Sequence, residues 1–190
     1  MPTPSRAPLI LFGWLLFDIT AIHFGLLTWA PFPPPVFVGI GLLFSVLCIL
    51  VVPGVAAWLR DVDLRWILAF HLVRFVGIYF LWLLAQGRLD PLFARQAGVG
   101  DIVTAVGAVL LLLIPSFRAR KGLTIWNVVG FVDILVVVVN AMRVVFTDPA
   151  GLGEFYHLPL GLLPTFFVPV IIVSHVVVFL RLRSVPAAAA

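Results

Sequence analysis

Charged residues are scarce in this chain: Lys, Arg, Asp and Glu make up 11% of its 190 residues, whereas a soluble domain has about 25%. Apolar residues make up 63%, and the mean hydropathy is +1.23. No water-soluble fold of this size can hide so much apolar surface. The composition excludes a soluble protein and predicts an all-α polytopic integral membrane protein embedded in the lipid bilayer.

Cysteine and the common catalytic motifs are also missing. The single cysteine, Cys48, cannot form an internal disulfide and leaves the redox compartment undetermined. The chain has no G-x-S-x-G or H-E-x-x-H stretch, and "AGVGD" at 97–101 lacks the lysine of a phosphate-binding loop. These absences argue against an enzyme and predict no metal site.

Six apolar segments have the length that a helix needs to cross a bilayer, about 17–25 residues. They are Leu9–Trp29, Phe37–Leu59, Trp66–Leu84, Gly98–Ile114, Ile125–Phe146 and Leu158–Leu180. The first resembles a secretory signal, but it is too long for one and no cleavage site follows, so we expect a retained helix. The segments predict one transmembrane domain over 1–190, and weak likenesses between its halves raise the alternative of a 3+3 inverted repeat.

The basic residues predict the orientation. Eight lie on one side of the predicted bundle, namely Arg6, Arg60, Arg65, Arg118, Arg120, Lys121, Arg181 and Arg183. The loops on the other side hold Arg88 and Arg95. The positive-inside rule therefore places both termini in the cytoplasm. Because the basic residues are spread between apolar runs, nucleic-acid binding is not favoured.

Six polar residues inside the predicted spans form the candidate site. At a rise of about 1.5 Å per residue, His71 and His175 lie roughly 9 Å from the cytoplasmic boundary, with Asn127 in the same half. Arg74 lies one turn deeper, roughly 13–15 Å in. Two aspartates share that depth and are expected to pair with it, Asp18 and Asp133. Such groups face the protein interior, because a charge exposed to lipid costs at least about 2.5–3.5 kcal/mol.

The spacing of these residues predicts an inward-facing seam. His71, Arg74 and Gly77 follow i, i+3, i+6 on the third span, which is one helical stripe. A third, outer group comprises His23, Asn140, Arg143 and Asp101, although helix N-capping alone would explain Asp101.

Transport or conduction of protons or small solutes is the leading functional hypothesis, because intramembrane ionisable groups mark such pathways. The alternative is that the ion pairs only fix the register of the helices. In that case a non-catalytic membrane partner subunit is the competing role, and an oligomer is compatible with either.

A different class of function is suggested by His71 and His175. Two histidines from different helices at one depth could ligate a b-type haem, which would make the chain an electron carrier. The alternative is that each imidazole only forms a hydrogen bond with a neighbour, such as Asn127 or a carbonyl. The absence of a Cys-x-x-Cys-His stretch means that such a haem would be bound non-covalently.

Four stretches resemble a family of uncharacterised bacterial inner-membrane proteins: "RFVGIYFL" (74–81), "GRLDPLFARQAGVGD" (87–101), "WNVVGFVDIL" (126–135) and "LPLGLLPTFFVPVIIVSH" (158–175). The family commonly has Leu-Pro where this chain has Leu89-Asp90-Pro91, and proline where it has Gln96. The resemblance implies a multi-pass protein of the bacterial inner membrane and points to Arg74, Asp101, Asn127, Asp133 and His175. It implies no activity.

Overall fold

The computed structural model describes residues 5–30 and 32–184 and contains no strand within them. The α-helices are α1 (Ala7–His23), α2 (Leu26–Trp29), α3 (Pro34–Val51), α4 (Val55–Asp61), α5 (Leu64–Phe70), α6 (Val76–Ala85), α7 (Pro91–Leu113), α8 (Arg120–Thr147) and α9 (Val168–Ser184). Three 3₁₀ segments (His71–Phe75, Pro115–Arg118 and Pro149–Tyr156) and a π-helical turn (Leu163–Phe167) join or extend them. The all-α class is confirmed. The "PAAAA" tail at 186–190 lies outside the described residues.

Five helical stretches in the described ranges are long and apolar enough to cross a membrane: Pro34–Val51, Leu64–Ala85, Pro91–Leu113, Arg120–Thr147 and Leu163–Ser184. Their number and apolarity make the chain a multi-pass membrane protein. A sixth apolar helix, α1, has 17 residues and is shorter than these five. The number of crossings and the side of each terminus stay predictions.

Glycines with positive φ end the first two predicted spans early. Gly25 adopts a left-handed conformation with φ of 72°, which separates α1 from α2 within the predicted 9–29 span. After α3, Pro53 supplies no backbone N–H and Gly54 has φ of 84°, so the helix stops at Val51 instead of continuing to Leu59.

The helices that contain the fourth and sixth predicted spans do not begin at the first residues of those spans. Asp90 caps α7 by accepting a hydrogen bond from the Phe93 backbone N–H at 2.7 Å, so the helix starts seven residues before Gly98. Asp101 therefore lies inside α7, and its interpretation as an N-cap is wrong. Residues 158–161 form turns, and the last membrane-length helical stretch runs from Leu163 to Ser184.

The chain divides into two compact units, and the predicted single domain over 1–190 stays a prediction. Unit 1 is Met1–Asp61 with Ala141–Val173, and unit 2 is Val62–Asn140 with Ser174–Ala190.

In unit 2, α7 presents a buried stripe of small side chains at helical spacing: Ala94, Ala97, Gly98, Thr104, Ala105 and Ala108. Such stripes let helix backbones approach closely in lipid, where tight packing drives helix association.

The closest approach of α6 and α7 depends on Gly77. A Cβ at this position would overlap the backbone carbonyl oxygen of Gly98, which cannot move aside as a flexible side chain can. We expect Gly77→Ala to destabilise the protein by about 1–3 kcal/mol, the usual cost of overpacking. Thermal unfolding of the detergent-solubilised protein measures this.

Gly39→Ala in α3 is the matched control, because a Cβ there meets no atom within 4 Å. This substitution should leave the midpoint of thermal unfolding unchanged or raise it, since alanine is more favourable than glycine in a helix by about 1 kcal/mol. Equal decreases in the unfolding midpoint of Gly77→Ala and Gly39→Ala would contradict the conclusion that α6 and α7 pack closely at Gly77.

Candidate functional site

Arg74 is the centre of a buried ionic cluster in unit 2. Its Nε donates to Asp101 Oδ1 at 2.6 Å, one terminal nitrogen donates to the Gly130 carbonyl at 3.0 Å, and the other pairs with Asp133. The Arg74 side chain is 1% exposed, while those of Asp101 and Asp133 are 7% and 14% exposed. Three helical stretches thus each contribute one charged side chain to the Arg74 cluster, by which we mean Arg74, Asp101 and Asp133.

The Arg74 cluster carries a formal charge of −1, from one guanidinium and two carboxylates. A buried ion pair needs both charges and well-aligned hydrogen bonds to offset desolvation. Arg74 has these bonds to both aspartates, and the carbonyl of Gly130 accepts a third. The second carboxylate leaves one negative charge that a single proton would neutralise.

Local backbone geometry places these side chains. Residues His71–Phe75 form a 3₁₀ segment, in which residues three apart lie directly above one another. The side chains of His71 and Arg74 therefore project from the same face of this segment, and both are buried. On α7, Gly100 leaves room for the Asp133 carboxylate, which a Cβ at that position would overlap.

The second group in unit 2 consists of His71, Asn127 and His175, each fully buried. Asn127 Nδ2 donates to the His175 backbone carbonyl at 3.1 Å, so its Oδ1 faces His175 Nδ1 at 2.8 Å. An amide oxygen only accepts, and the carbonyl fixes which way the amide points. His175 Nδ1 must therefore donate, and its Nε2 is left as an unprotonated nitrogen in the neutral ring.

Both imidazoles keep one unused nitrogen. His175 Nε2 and His71 Nδ1 are buried and have no hydrogen-bond partner, while His71 Nε2 contacts Ser174 Oγ at 2.9 Å. The indole of Trp126 packs edge-on against His71 at 4.9 Å between ring centroids, and its Nε1 donates to the Thr104 carbonyl at 3.0 Å. This histidine pair is thus held by packing, and each ring keeps one buried nitrogen without a hydrogen-bond partner.

The spacing of the two rings does not fit a haem. Two axial histidines must stand on opposite faces of a porphyrin, with the iron and the macrocycle between them. The centroids of His71 and His175 are 4.5 Å apart, which is direct ring contact. No macrocycle fits between them, so we derive no electron-transfer role from these residues.

Gly130 separates the Arg74 cluster from the histidine pair. Its carbonyl accepts from Arg74, and its α-carbon lies against the His175 ring, where a Cβ would come within 2.7 Å of Cε1 and 3.0 Å of Nε2. The two groups are consequently neighbours, with one residue of α8 between them.

Asp18 was expected beside Arg74, but the structure places Asp101 there. Asp18 is buried in unit 1, where its polar neighbours are Thr165 and Trp14. The other five predicted site residues, His71, Arg74, Asn127, Asp133 and His175, all lie in unit 2.

The predicted outer group is dispersed. Asn140 donates to Gln96 at 2.7 Å in unit 2, while Arg143 lies near Thr147 at 3.4 Å in unit 1. The ring of His23 packs against Phe24, also in unit 1, and Asp101 belongs to the Arg74 cluster. Across residues 5–30 and 32–184, no group of three or more His, Cys, Asp or Glu side chains could hold a metal ion.

Asp101 was assigned from the sequence to the outer group instead of the candidate site, although the family resemblance pointed to this residue, and Ser174 was missed. Placing the start of α7 at Asp90-Pro91 would have put Asp101 about 15 Å into the helix, at the depth of Arg74. The small-residue stripe on α7 has the same helical phase as Asp101 and was the signal that could have identified it. Ser174 carries no comparable signal, because its contact depends on how α9 packs.

Residues 31–183 match the model of a protein family described as a domain of unknown function, DUF8737. The match covers most of the chain and all of the unit 2 site residues. It confirms the resemblance to an uncharacterised family. Comparison with curated proteins and with solved structures finds no significant match.

Charge arithmetic predicts unequal effects of substitutions in the Arg74 cluster. Arg74→Met leaves two buried carboxylates without a cation and should cost about 3–5 kcal/mol. Asp133→Asn leaves Arg74 paired one-to-one with Asp101, beside a neutral amide. The decrease in the free energy of unfolding should therefore be clearly smaller than for Arg74→Met. Denaturant titration of the detergent-solubilised variants measures both, and equal losses would contradict this account of the cluster.

Proposed function

We propose that this chain, which belongs to the DUF8737 family, is an integral membrane protein that conducts protons across the bilayer. The observation that supports the proposal is the Arg74 cluster, a buried guanidinium held between two buried carboxylates within apolar helices. Ionisable groups inside membrane helices are costly and mark proton and ion pathways.

A proton suits this cluster better than a larger solute. The formal charge of −1 changes to zero when one proton binds, and Arg74 keeps hydrogen bonds with both aspartates in either state. A proton needs only hydrogen-bonding groups along its way, whereas a solute needs a cavity of its own size. The side chains here are closely packed around glycines, as at Gly100 and Gly130.

In this mechanism Asp101 and Asp133 bind and release the proton, and Arg74 holds them together. His175 Nε2, which lies against Gly130 and has no partner, is the next acceptor. Asn127 keeps His175 in the tautomer that presents this nitrogen, because it accepts from Nδ1. His71, in ring contact with His175, extends the path toward Ser174.

The proposed setting is the bacterial inner membrane, with six crossings and both termini in the cytoplasm. The distribution of basic residues supports this orientation. As the sixth crossing we propose α1, whose 17 residues span about 25 Å. That length is at the lower limit for a transmembrane helix.

Proton flux into vesicles tests the proposal. Purified protein is reconstituted with a pH-sensitive dye trapped inside, and a potassium diffusion potential drives proton entry. We expect wild type to acidify the lumen well above the rate of empty vesicles. Asp133→Asn and Asp101→Asn should reduce the flux at least tenfold, because the remaining charge-balanced pair has no net charge for a proton to neutralise.

Asp61→Asn, which alters an exposed carboxylate at the end of α4, is the control and should leave the flux unchanged. Size-exclusion profiles and unfolding midpoints establish that each variant is folded. Flux equal to empty vesicles in wild type, or flux unaffected by both cluster variants, would refute proton conduction. Either result would instead favour ion pairs that serve helix register in a membrane partner subunit.

A further inference from the structure

Asp18 forms a second buried acidic site, separate from the Arg74 cluster. It lies on α1 in unit 1, is 7% exposed, and its Oδ2 is buried without a hydrogen-bond partner. No ion pair is formed by this residue within the described part of the chain, and its polar neighbours are the uncharged side chains of Thr165 and Trp14. A carboxylate in this position has no cation to offset its desolvation, and the indole N–H of Trp14 is a hydrogen-bond donor beside it.

The surroundings of Trp14, the neighbour of Asp18 in unit 1, are apolar and closely packed. Trp14, one turn earlier on α1, packs edge-on against Phe44 of α3 at 4.9 Å and against Phe166 at 5.0 Å. Gly41 of α3 leaves room for the ring of Pro169, since a Cβ there would come within 2.5 Å of it. None of these neighbouring groups on α3 or in the 163–169 region titrates or carries charge.

The backbone near Asp18 is irregular at Thr165. This residue is in the π-helical turn Leu163–Phe167, which contains Pro164 and is followed by Pro169 two residues after its end. The two prolines supply no backbone N–H, so the regular α-helical ladder cannot form through this stretch. Single π-helical turns within helices occur frequently at functional sites.

The hydroxyl of Thr165 determines what the carboxyl group can do on the side that faces this residue. Thr165 Oγ1 donates its single proton to the Gly161 carbonyl at 3.0 Å. Toward Asp18 it therefore offers only lone pairs, and two lone-pair acceptors repel each other. The arrangement is favourable when Asp18 itself carries a proton that it can donate.

We propose that Asp18 is a proton-binding site that holds a carboxylic acid in the resting protein. When the acid loses its proton, the Thr165 hydroxyl must turn from the Gly161 carbonyl toward the new carboxylate. Protonation of Asp18 is thus linked to a hydrogen bond across the turn that precedes the π-helical segment. The proposal concerns unit 1 alone and holds whether or not the Arg74 cluster conducts protons.

Infrared spectroscopy of the full-length protein in vesicles tests this proposal at neutral pH. A protonated carboxyl group in an apolar site has a carbonyl-stretch band that is distinct from that of a carboxylate. We expect such a band in wild type and its loss in Asp18→Asn. Thr165→Val should keep the band and shift it to higher frequency, because the acid loses its acceptor.

Asp61→Asn is the matched control and should leave the band unchanged, and Asp133→Asn separates any contribution of the Arg74 cluster. A hydrophobic carbodiimide gives an independent measurement on wild type. It adds as a whole molecule across a protonated carboxyl group, so peptide mass spectrometry should find the adduct on Asp18. A band unaffected by Asp18→Asn, together with no adduct on this residue, would overturn the proposal.

Discussion

The burial of the Arg74 guanidinium among apolar helices is the constraint on which unit 2 depends. A charge that cannot reach water must have partners supplied by other helices, and here α7, α8 and the Gly130 carbonyl supply them. Meeting those partners requires that the backbones come very close. Glycine at positions 77, 98, 100 and 130 allows this approach, so the ionic cluster and the small-residue packing are two consequences of one requirement.

The histidine pair shows how a hydrogen-bond network selects one chemical form of a side chain. The side-chain amide of Asn127 is anchored because its Nδ2 donates to the backbone carbonyl of His175. Its Oδ1 therefore faces the imidazole of His175 and accepts a hydrogen bond from Nδ1. The outcome is an imidazole with its free nitrogen turned away from the amide and against Gly130. The 4.5 Å ring contact of His175 with His71 is incompatible with haem ligation by this pair.

The buried acidic residues of the two units differ in whether a cation lies beside them. In unit 2 two carboxylates share a cation, so the negative charge is partly balanced and can change by one proton. In unit 1 Asp18 has uncharged neighbours, and Thr165 has already committed its only proton. The same residue type is therefore suited to ionic pairing in one unit and to carrying a proton as a neutral acid in the other.

Composition and periodicity were sufficient for the membrane class and the all-α fold, because hydropathy is a local property of the chain. Depth along a helix also selected five polar residues that the structure places together in unit 2, namely His71, Arg74, Asn127, Asp133 and His175. The pairing of Arg74 with Asp101 instead of Asp18 was decided by tertiary structure. Predicting it required the true start of α7 at its Asp90 cap, which hydropathy does not show. The ring contact that excludes haem was likewise beyond the sequence, since depth alone specifies height in the membrane but not the distance between two helices at that height.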